Sequence, residues 1–201
     1  MTTAVRDAYA RRSDEYTELI GSIDAVHELD RVLVASWAAQ LDGTVLDAGC
    51  GPGHWTRFLV DQGADARGLD QVPEFLAHAR ARHPGIRYEL GDLDALPGAD
   101  GALAGILSWY SLIHHEPGEI GRPLSEFARV LRPGGGLLIG CFVGPTTEPF
   151  DHAVVRAHRW NLDELAAELA SAGFDVLETH TRTNREHRPH GAILARRTRG
   201  G

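Results

Sequence analysis

Three glycines, Gly49, Gly51 and Gly53, follow a short apolar run ending in Asp47, within Thr-Val-Leu-Asp-Ala-Gly-Cys-Gly-Pro-Gly at residues 44 to 53. Such a run reads as a buried parallel strand, and the glycines let the backbone turn sharply beneath a ligand. The helix expected over residues 54 to 62 presents free N–H groups and a positive dipole end to whatever sits there. Asp70 stands nineteen residues beyond Gly51, near the spacing at which an acid meets a ribose hydroxyl in nucleotide-binding βαβ units. Either carboxylate oxygen accepts from a ribose O–H, which an amide does less well. At Asp92 and Leu93 a carboxylate can accept from an exocyclic adenine amine while an apolar neighbour covers the ring. Ser108-Trp109-Tyr110 ends a further apolar run, and His114 and His115 follow in Leu-Ile-His-His-Glu-Pro. An imidazole there can take a hydroxyl or amine proton, an effect of roughly 10²- to 10⁴-fold; bonding to local backbone is the alternative for both histidines. No Asp or Asn set with ligand spacing accompanies the pair, so no metal is expected.

Positioning these residues requires an α/β fold. Strands are expected over 44 to 47, 66 to 70, 86 to 90, 102 to 109, 137 to 143, 175 to 181 and 191 to 196. Helices are expected over 54 to 62, 73 to 82, 124 to 131 and 162 to 172. The alternation predicts a Rossmann-like, doubly wound, seven-stranded and mostly parallel sheet with helices on both faces and ligands at the strands' carboxyl ends. Near-helical spacing over 3 to 20 and 24 to 40 predicts two helices, an N-terminal cap over residues 1 to 43. Residues 144 to 161 form a long connection without a sheet role, a frequent place for function.

The chain has 201 residues with 43% hydrophobic and 24% charged content, which predicts one globular domain over 1 to 201. No apolar window reaches the roughly 18 residues of a membrane span, the N-terminus is charged where a leader needs an apolar centre, and there are two cysteines; together these place the protein in the cytoplasm. A formal net charge of −8 argues against nucleic-acid binding. All 20 basic residues are arginine, with Arg182, Arg185, Arg188, Arg196, Arg197 and Arg199 near the C-terminus. That cluster is either a solvated tail or an anion-binding edge. His180, His187 and His190 are nearby and weaker candidates.

Val-Leu-Asp-Ala-Gly-Cys-Gly-Pro-Gly at 45 to 53 resembles the first motif of class I S-adenosylmethionine-dependent methyltransferases. Gly-Leu-Asp at 68 to 70, Gly-Asp-Leu-Asp-Ala-Leu at 91 to 96 and Arg-Val-Leu-Arg-Pro-Gly-Gly at 129 to 135 extend the resemblance. It implies S-adenosylmethionine as cofactor and S-adenosylhomocysteine as product. It places Asp47, Gly49 and Gly51 at the methionine part, Asp70 and Gln71 at the ribose, and Asp92 with Leu93 at the adenine. Ser108 and Trp109 complete the cofactor contacts, with Trp109 beside the sulfonium or packed in the core. Tyr9 and Tyr16 resemble a spaced pair that closes the amino-acid end. His54 and Trp55 depart from the family's smaller residues; Trp55 packs on the cofactor or on the first helices.

The reading is therefore methyl transfer to an oxygen or nitrogen of a small-molecule acceptor, with His114 as catalytic base. Tyr110, His115, Phe142, Arg159 and Trp160 are expected at the acceptor, with Glu148, Phe150 and His152 on the same connection. A homodimer is left open. A protein that binds the cofactor without methyl transfer is the alternative; a nicotinamide oxidoreductase fits less well, because its third glycine would fall at position 54.

Overall fold

The computed structural model describes residues 3–183 and 188–199; Arg185 and His187 lie outside the described residues. Sixteen elements carry the site. The cap consists of α1 (Thr3–Arg11), α2 (Ser13–Ile20) and α3 (Glu28–Ala38). The body comprises β1 (Val45–Ala48), α4 (His54–Asp61), β2 (Ala66–Asp70), α5 (Pro73–Arg82), β3 (Tyr88–Leu90), β4 (Leu103–Trp109), α6 (Gly121–Val130) and β5 (Leu131–Val143). It ends with β6 (Glu148–Phe150), β7 (Ala157–Trp160), α7 (Leu162–Ser171), β8 (Phe174–Arg182) and β9 (His190–Arg197).

The first five strands lie parallel in the order β3-β2-β1-β4-β5, and β9 then pairs antiparallel with β5 and with β8. This is the expected seven-stranded sheet. β1 is buried on both faces, as its apolar run requires. Phe127, Leu124 and Leu131 close the core on one face. On the other, Trp37 of α3 rests on Gly105 and Gly136, where an added Cβ would come within 3.2 and 2.9 Å of its indole. No helix among the described residues is long and apolar enough to cross a membrane.

Two expectations about the elements are corrected. The cap is three α-helices, because Arg12 leaves helical geometry (φ −118°, ψ 16°) and a 3₁₀ turn over Ile23–Ala25 precedes α3. His27 caps α3, its Nδ1 accepting from the Leu29 N–H at 3.2 Å. The connection after residue 143 also has a sheet role. β7 pairs parallel with the end of β5, Phe142 opposite Arg159, and β6 pairs antiparallel with β7. Phe142 pairs with His190 as well, so β7 lies on β4's side of β5, in line with β4's end. Pairs of three or four residues carry no readable alternation; backbone demand for partners creates them.

Candidate active site

The glycine turn between β1 and α4 is built on left-handed backbone, with φ of 81°, 52° and 85° at Gly49, Gly51 and Gly53. The N–H groups of Gly49 and Cys50 donate to the Leu69 carbonyl, at 2.8 and 3.0 Å, tying the turn to β2. Asp70, at the end of β2, accepts from the Gly51 N–H with Oδ2 and from the Val72 N–H with Oδ1, each at 2.8 Å. Burial pushes its carboxyl up to about 6, and those two hydrogen bonds pull against the rise. Each oxygen keeps a lone pair for a further donor.

A cavity lies over the turn. Gly49, Gly51, Asp70, Gln71, Asp92, Leu93, Trp109 and His114 line it, and Tyr9, Tyr16 and Phe75 close it from the helices. The last three form one aromatic cluster, with ring centroids 5.1 to 5.9 Å apart. Asp92 caps its own turn, its Oδ1 accepting from the Asp94 N–H at 3.1 Å. Two observations fit a nucleoside-type ligand. Gln71 Nε2 is buried with no protein partner among the described residues, and Gly51 is buried yet a Cβ there would meet nothing within 4 Å. The donor wants an acceptor, and the empty space beside Gly51 is cavity.

A larger chamber, about 1540 Å³ including its open mouth, shares Tyr9, Tyr16, Gly49, Gly51, Trp109 and Tyr110 with the first. Trp55, Phe142, His27, Asp30, His54, His152, Arg182 and His190 complete its walls. Trp109 packs on Trp55 at 5.4 Å and stands on the wall common to both cavities. Tyr110 is the only non-glycine among the described residues with positive φ, 58°, a conformation that costs a bulky residue about 1–3 kcal/mol. Its hydroxyl bonds His190 Nδ1 and its ring packs on Phe142 at 4.9 Å, contacts that hold the strain in place.

His114 lines the cavity over the glycine turn. Its Nδ1 donates to the Arg156 carbonyl at 2.9 Å, which fixes the tautomer, and Nε2 accepts from the Tyr9 hydroxyl at 2.8 Å. Burial pushes its pKa down to about 4. The ring is neutral and its basic lone pair is occupied. This arrangement does not suit a general base, contrary to expectation.

Five further sequence expectations are corrected in position. His115 turns away from both chambers into a buried bond with Asp94 Oδ1 at 3.0 Å. Asp47 does not line the cavity: its Oδ2 accepts from Thr56 Oγ1 at 2.6 Å and burial pushes the carboxyl up to about 7. Ser108 is fully buried and bonds Ser111 Oγ at 2.7 Å, behind Gly49. Trp160 packs in the main core beside Leu165 and Leu169. Arg159 pairs with Glu148 at 3.3 Å outside both cavities. Alternation along β7 sends these two neighbours to opposite faces, Trp160 into the core and Arg159 to its partner on β6.

Asp30, His27 and Ser111 carry no local signal in the sequence, and Arg182 stands out there only as one of the basic cluster. Arg182 Nη2 donates to Asp30 Oδ2 at 2.6 Å across 152 residues of chain, a separation that no local spacing reveals. Among the described residues the C-terminal arginines do not form one edge. Arg188 stacks on Phe150 at 4.7 Å, whereas Arg197 donates to the Leu131 carbonyl at the opposite end of β5.

A family profile described as a methyltransferase domain matches residues 45–135. The chain is 30% identical over 179 residues to a malonyl-[acyl-carrier protein] O-methyltransferase of Pseudescherichia vulneris, covering 84% of this chain and 68% of that protein. It spans about half the length of further relatives of the same name, 51%, 46% and 52%. Among solved structures, the [4+2]-cyclase SpnF superposes with a TM-score of 0.82 at 19% identity, over 99% of this chain and 98% of that one. The Burkholderia thailandensis 1,6-didemethyltoxoflavin-N1-methyltransferase, solved with S-adenosylhomocysteine, gives 0.75 at 23% identity, over 98% and 92%. Identities this low establish the fold alone, and a cyclase shares it. The first relative's identity and coverage carry the assignment further: the chain belongs to the class I S-adenosylmethionine-dependent methyltransferase family.

Proposed function

We propose that the enzyme transfers the methyl group of S-adenosylmethionine to an oxygen or nitrogen of a small molecule held in the larger chamber. The observation that carries this reading is the wall formed by Trp109 and Tyr110, which belongs to both cavities. A cofactor over the glycine turn and an acceptor beyond that wall would meet there. In this reading Asp70 and Gln71 hold the ribose, Asp92 and Leu93 the adenine, and Gly49 and Gly51 leave room for the methionine part. The Trp109 face attracts the sulfonium by about 0.5–2 kcal/mol. Methyl transfer is an in-line displacement whose leaving group needs no proton. Alignment and exclusion of water therefore supply most of the acceleration.

His114 is reassigned from base to positioning residue. It holds Tyr9 over the cofactor cavity, so Tyr9→Phe and His114→Ala should both weaken S-adenosylhomocysteine binding. A loss of roughly 5- to 10-fold is expected from one hydrogen bond. A base would show the opposite pattern, affinity intact and turnover lost; calorimetry with single-turnover rates distinguishes them.

Asp70 also makes cofactor charge legible. Its folded carboxyl, raised to about 6, is protonated in the free protein at lower pH. S-adenosylmethionine carries a positive sulfur that S-adenosylhomocysteine lacks, and a cation favours the ionised acid. Between pH 7 and 5 the affinity for the sulfonium ligand should fall by up to about tenfold relative to the thioether. Titrations of both ligands across that range test this, and an unchanged affinity ratio contradicts it.

The functional test is an acceptor screen with methyl-labelled cofactor. Label entering a small molecule supports the reading; binding of cofactor with no transfer across the screen favours the non-transferring alternative. The malonyl-[acyl-carrier protein] O-methyltransferase relatives support an oxygen acceptor.

A further inference from the structure

We propose that Tyr110 takes the acceptor's proton and passes its own to His190, so that a neutral hydroxyl can serve as the acceptor. The inference rests on the methyl-transfer reading above and supplies that site with a base. Tyr110 follows the end of β4 and borders the cofactor cavity, the larger chamber and a groove between α3 and the β8–β9 pair. Its hydroxyl bonds Nδ1 of His190, the first residue of β9, 80 positions along the chain. Phe142 packs on both rings, with centroids 4.9 Å from Tyr110 and 5.7 Å from His190. The φ of 58° at Tyr110 is backbone strain of the kind that collects at active sites, where surrounding contacts enforce it.

Four histidines stand on the walls of the larger chamber among the described residues, and three are poor bases. His27 Nδ1 accepts from the Leu29 N–H. Burial and then His83 push His54 down to about 4, while burial, Arg188 and Arg12 lower His152. His190 is left, and its partner Tyr110 borders the cofactor cavity as well. Burial first, then Cys141 and Asp30, hold the Tyr110 phenol protonated at rest, and Arg182 pulls the other way. The Tyr9–His114 pair is the poorer relay. Burial pushes His114 down to about 4, and at Tyr9 burial, Tyr16 and Asp70 all act to hold the proton.

The step balances with one proton moved. As the acceptor oxygen forms the O–CH₃ bond, its proton passes to Tyr110 Oη and the Tyr110 proton passes to His190 Nδ1. The C–S bond breaks and its electron pair stays on sulfur. A sulfonium and a neutral hydroxyl become a thioether, a methyl ether and an imidazolium, so the positive charge moves from sulfur to His190. The groove that His190 also lines carries the exposed Leu29 and Val32, which gives the proton a way to water outside the chamber. The charged and titratable groups around the pair are Asp30 of α3, Cys141 of β5, His152 of the connection, and His180 and Arg182 of β8. Asp30 and Arg182 bond each other at 2.6 Å, so their opposite effects on the imidazolium largely cancel.

The test uses the full chain, saturating methyl-labelled S-adenosylmethionine and two probes in single turnover: phenol, neutral at about pH 8, and 4-nitrophenol, mostly ionised there. The wild type should methylate both. Tyr110→Phe should lower the phenol-to-4-nitrophenol rate ratio by about 100-fold, because only phenol needs its proton removed. His190→Gln keeps an acceptor for the Tyr110 hydroxyl but takes up no proton, and should lower that ratio by at least about tenfold. A purely positional His190 would leave the ratio unmoved in that variant. The wild-type rate on phenol should also fall as pH is lowered, because a protonated His190 can accept nothing further, and His190→Gln should lose this dependence. Binding of S-adenosylhomocysteine by both variants shows that they fold. Three results overturn the proposal: a ratio unchanged in Tyr110→Phe, a His190→Gln rate on phenol equal to that of the wild type, or a wild type that leaves phenol unmethylated. In the last case, label entering another acceptor leaves the methyl-transfer reading intact; failure of S-adenosylhomocysteine to bind the wild type would instead remove that underlying reading.

Discussion

Asp70→Asn is expected to weaken S-adenosylhomocysteine binding by about 100-fold while leaving the ligand-free protein folded. The two ribose hydroxyls would each donate to a charged acceptor, worth about 1.5–3 kcal/mol apiece, and an amide can satisfy only one of them. A loss of about 3 kcal/mol is a factor of roughly 100. The stability side has the opposite sign. The folded carboxyl is raised to about 6, so between the ordinary acid range and that value the folded state binds more protons than the unfolded state. Stability from this group is present at low pH and is lost as pH rises through about 6, so at neutral pH the buried charge is a burden. Asparagine removes the burden but turns an N–H of its own toward Gly51 or Val72, a cost of about 1–3 kcal/mol. The two effects offset in sign, and the midpoint of thermal unfolding should move little. Calorimetry and thermal denaturation of the variant read the two halves separately.

Gly49→Ala and Gly51→Ala should differ in kind. At Gly49 a Cβ would lie 2.3 Å from Ser111 Cβ, and Ser111 is itself held by the bond to Ser108. Positive φ costs about 1–2 kcal/mol and the overlap about 1–3 kcal/mol more, so Gly49→Ala should lose about 3 kcal/mol of folding stability in denaturant titration. At Gly51 only the backbone cost applies, because a Cβ there meets nothing within 4 Å. That methyl would instead occupy cofactor space, and Gly51→Ala should remain folded with cofactor affinity reduced at least about tenfold. Equal stability losses in the two variants would show that Gly51 does not face the ligand cavity.

The parts of the molecule legible in the sequence are those encoded locally. β1 announces itself by four consecutive apolar or terminal positions before a glycine turn, and Asp70 by a spacing that one βαβ unit imposes. The order of strands follows from alternation with helices and from the handedness of crossover connections. What was not legible depends on pairs far apart in the chain. His114 looked like a base because nothing near it reveals Tyr9, 105 residues away, or the Arg156 carbonyl, 42 residues away. Trp160 looked like an aromatic of the acceptor site, but pairing of β7 with the end of β5 turns it into the core. Arg182 read as part of a solvated tail or an anion-binding edge, and its pairing with Asp30 at the start of α3 depends on the sheet. Composition supplied the residue types, and only the register of β5, β7, β8 and β9 decided which of them face the chamber.

The most direct measurement of the central claim is calorimetric titration of the full chain with S-adenosylhomocysteine, repeated with Gly51→Ala and with NAD as a control ligand. One molecule of the thioether is expected to bind per chain, with at least tenfold weaker binding to Gly51→Ala and no NAD bound. Absence of any S-adenosylhomocysteine binding at millimolar concentration, or equal affinity for wild type and Gly51→Ala, would contradict the placement of the cofactor over the glycine turn.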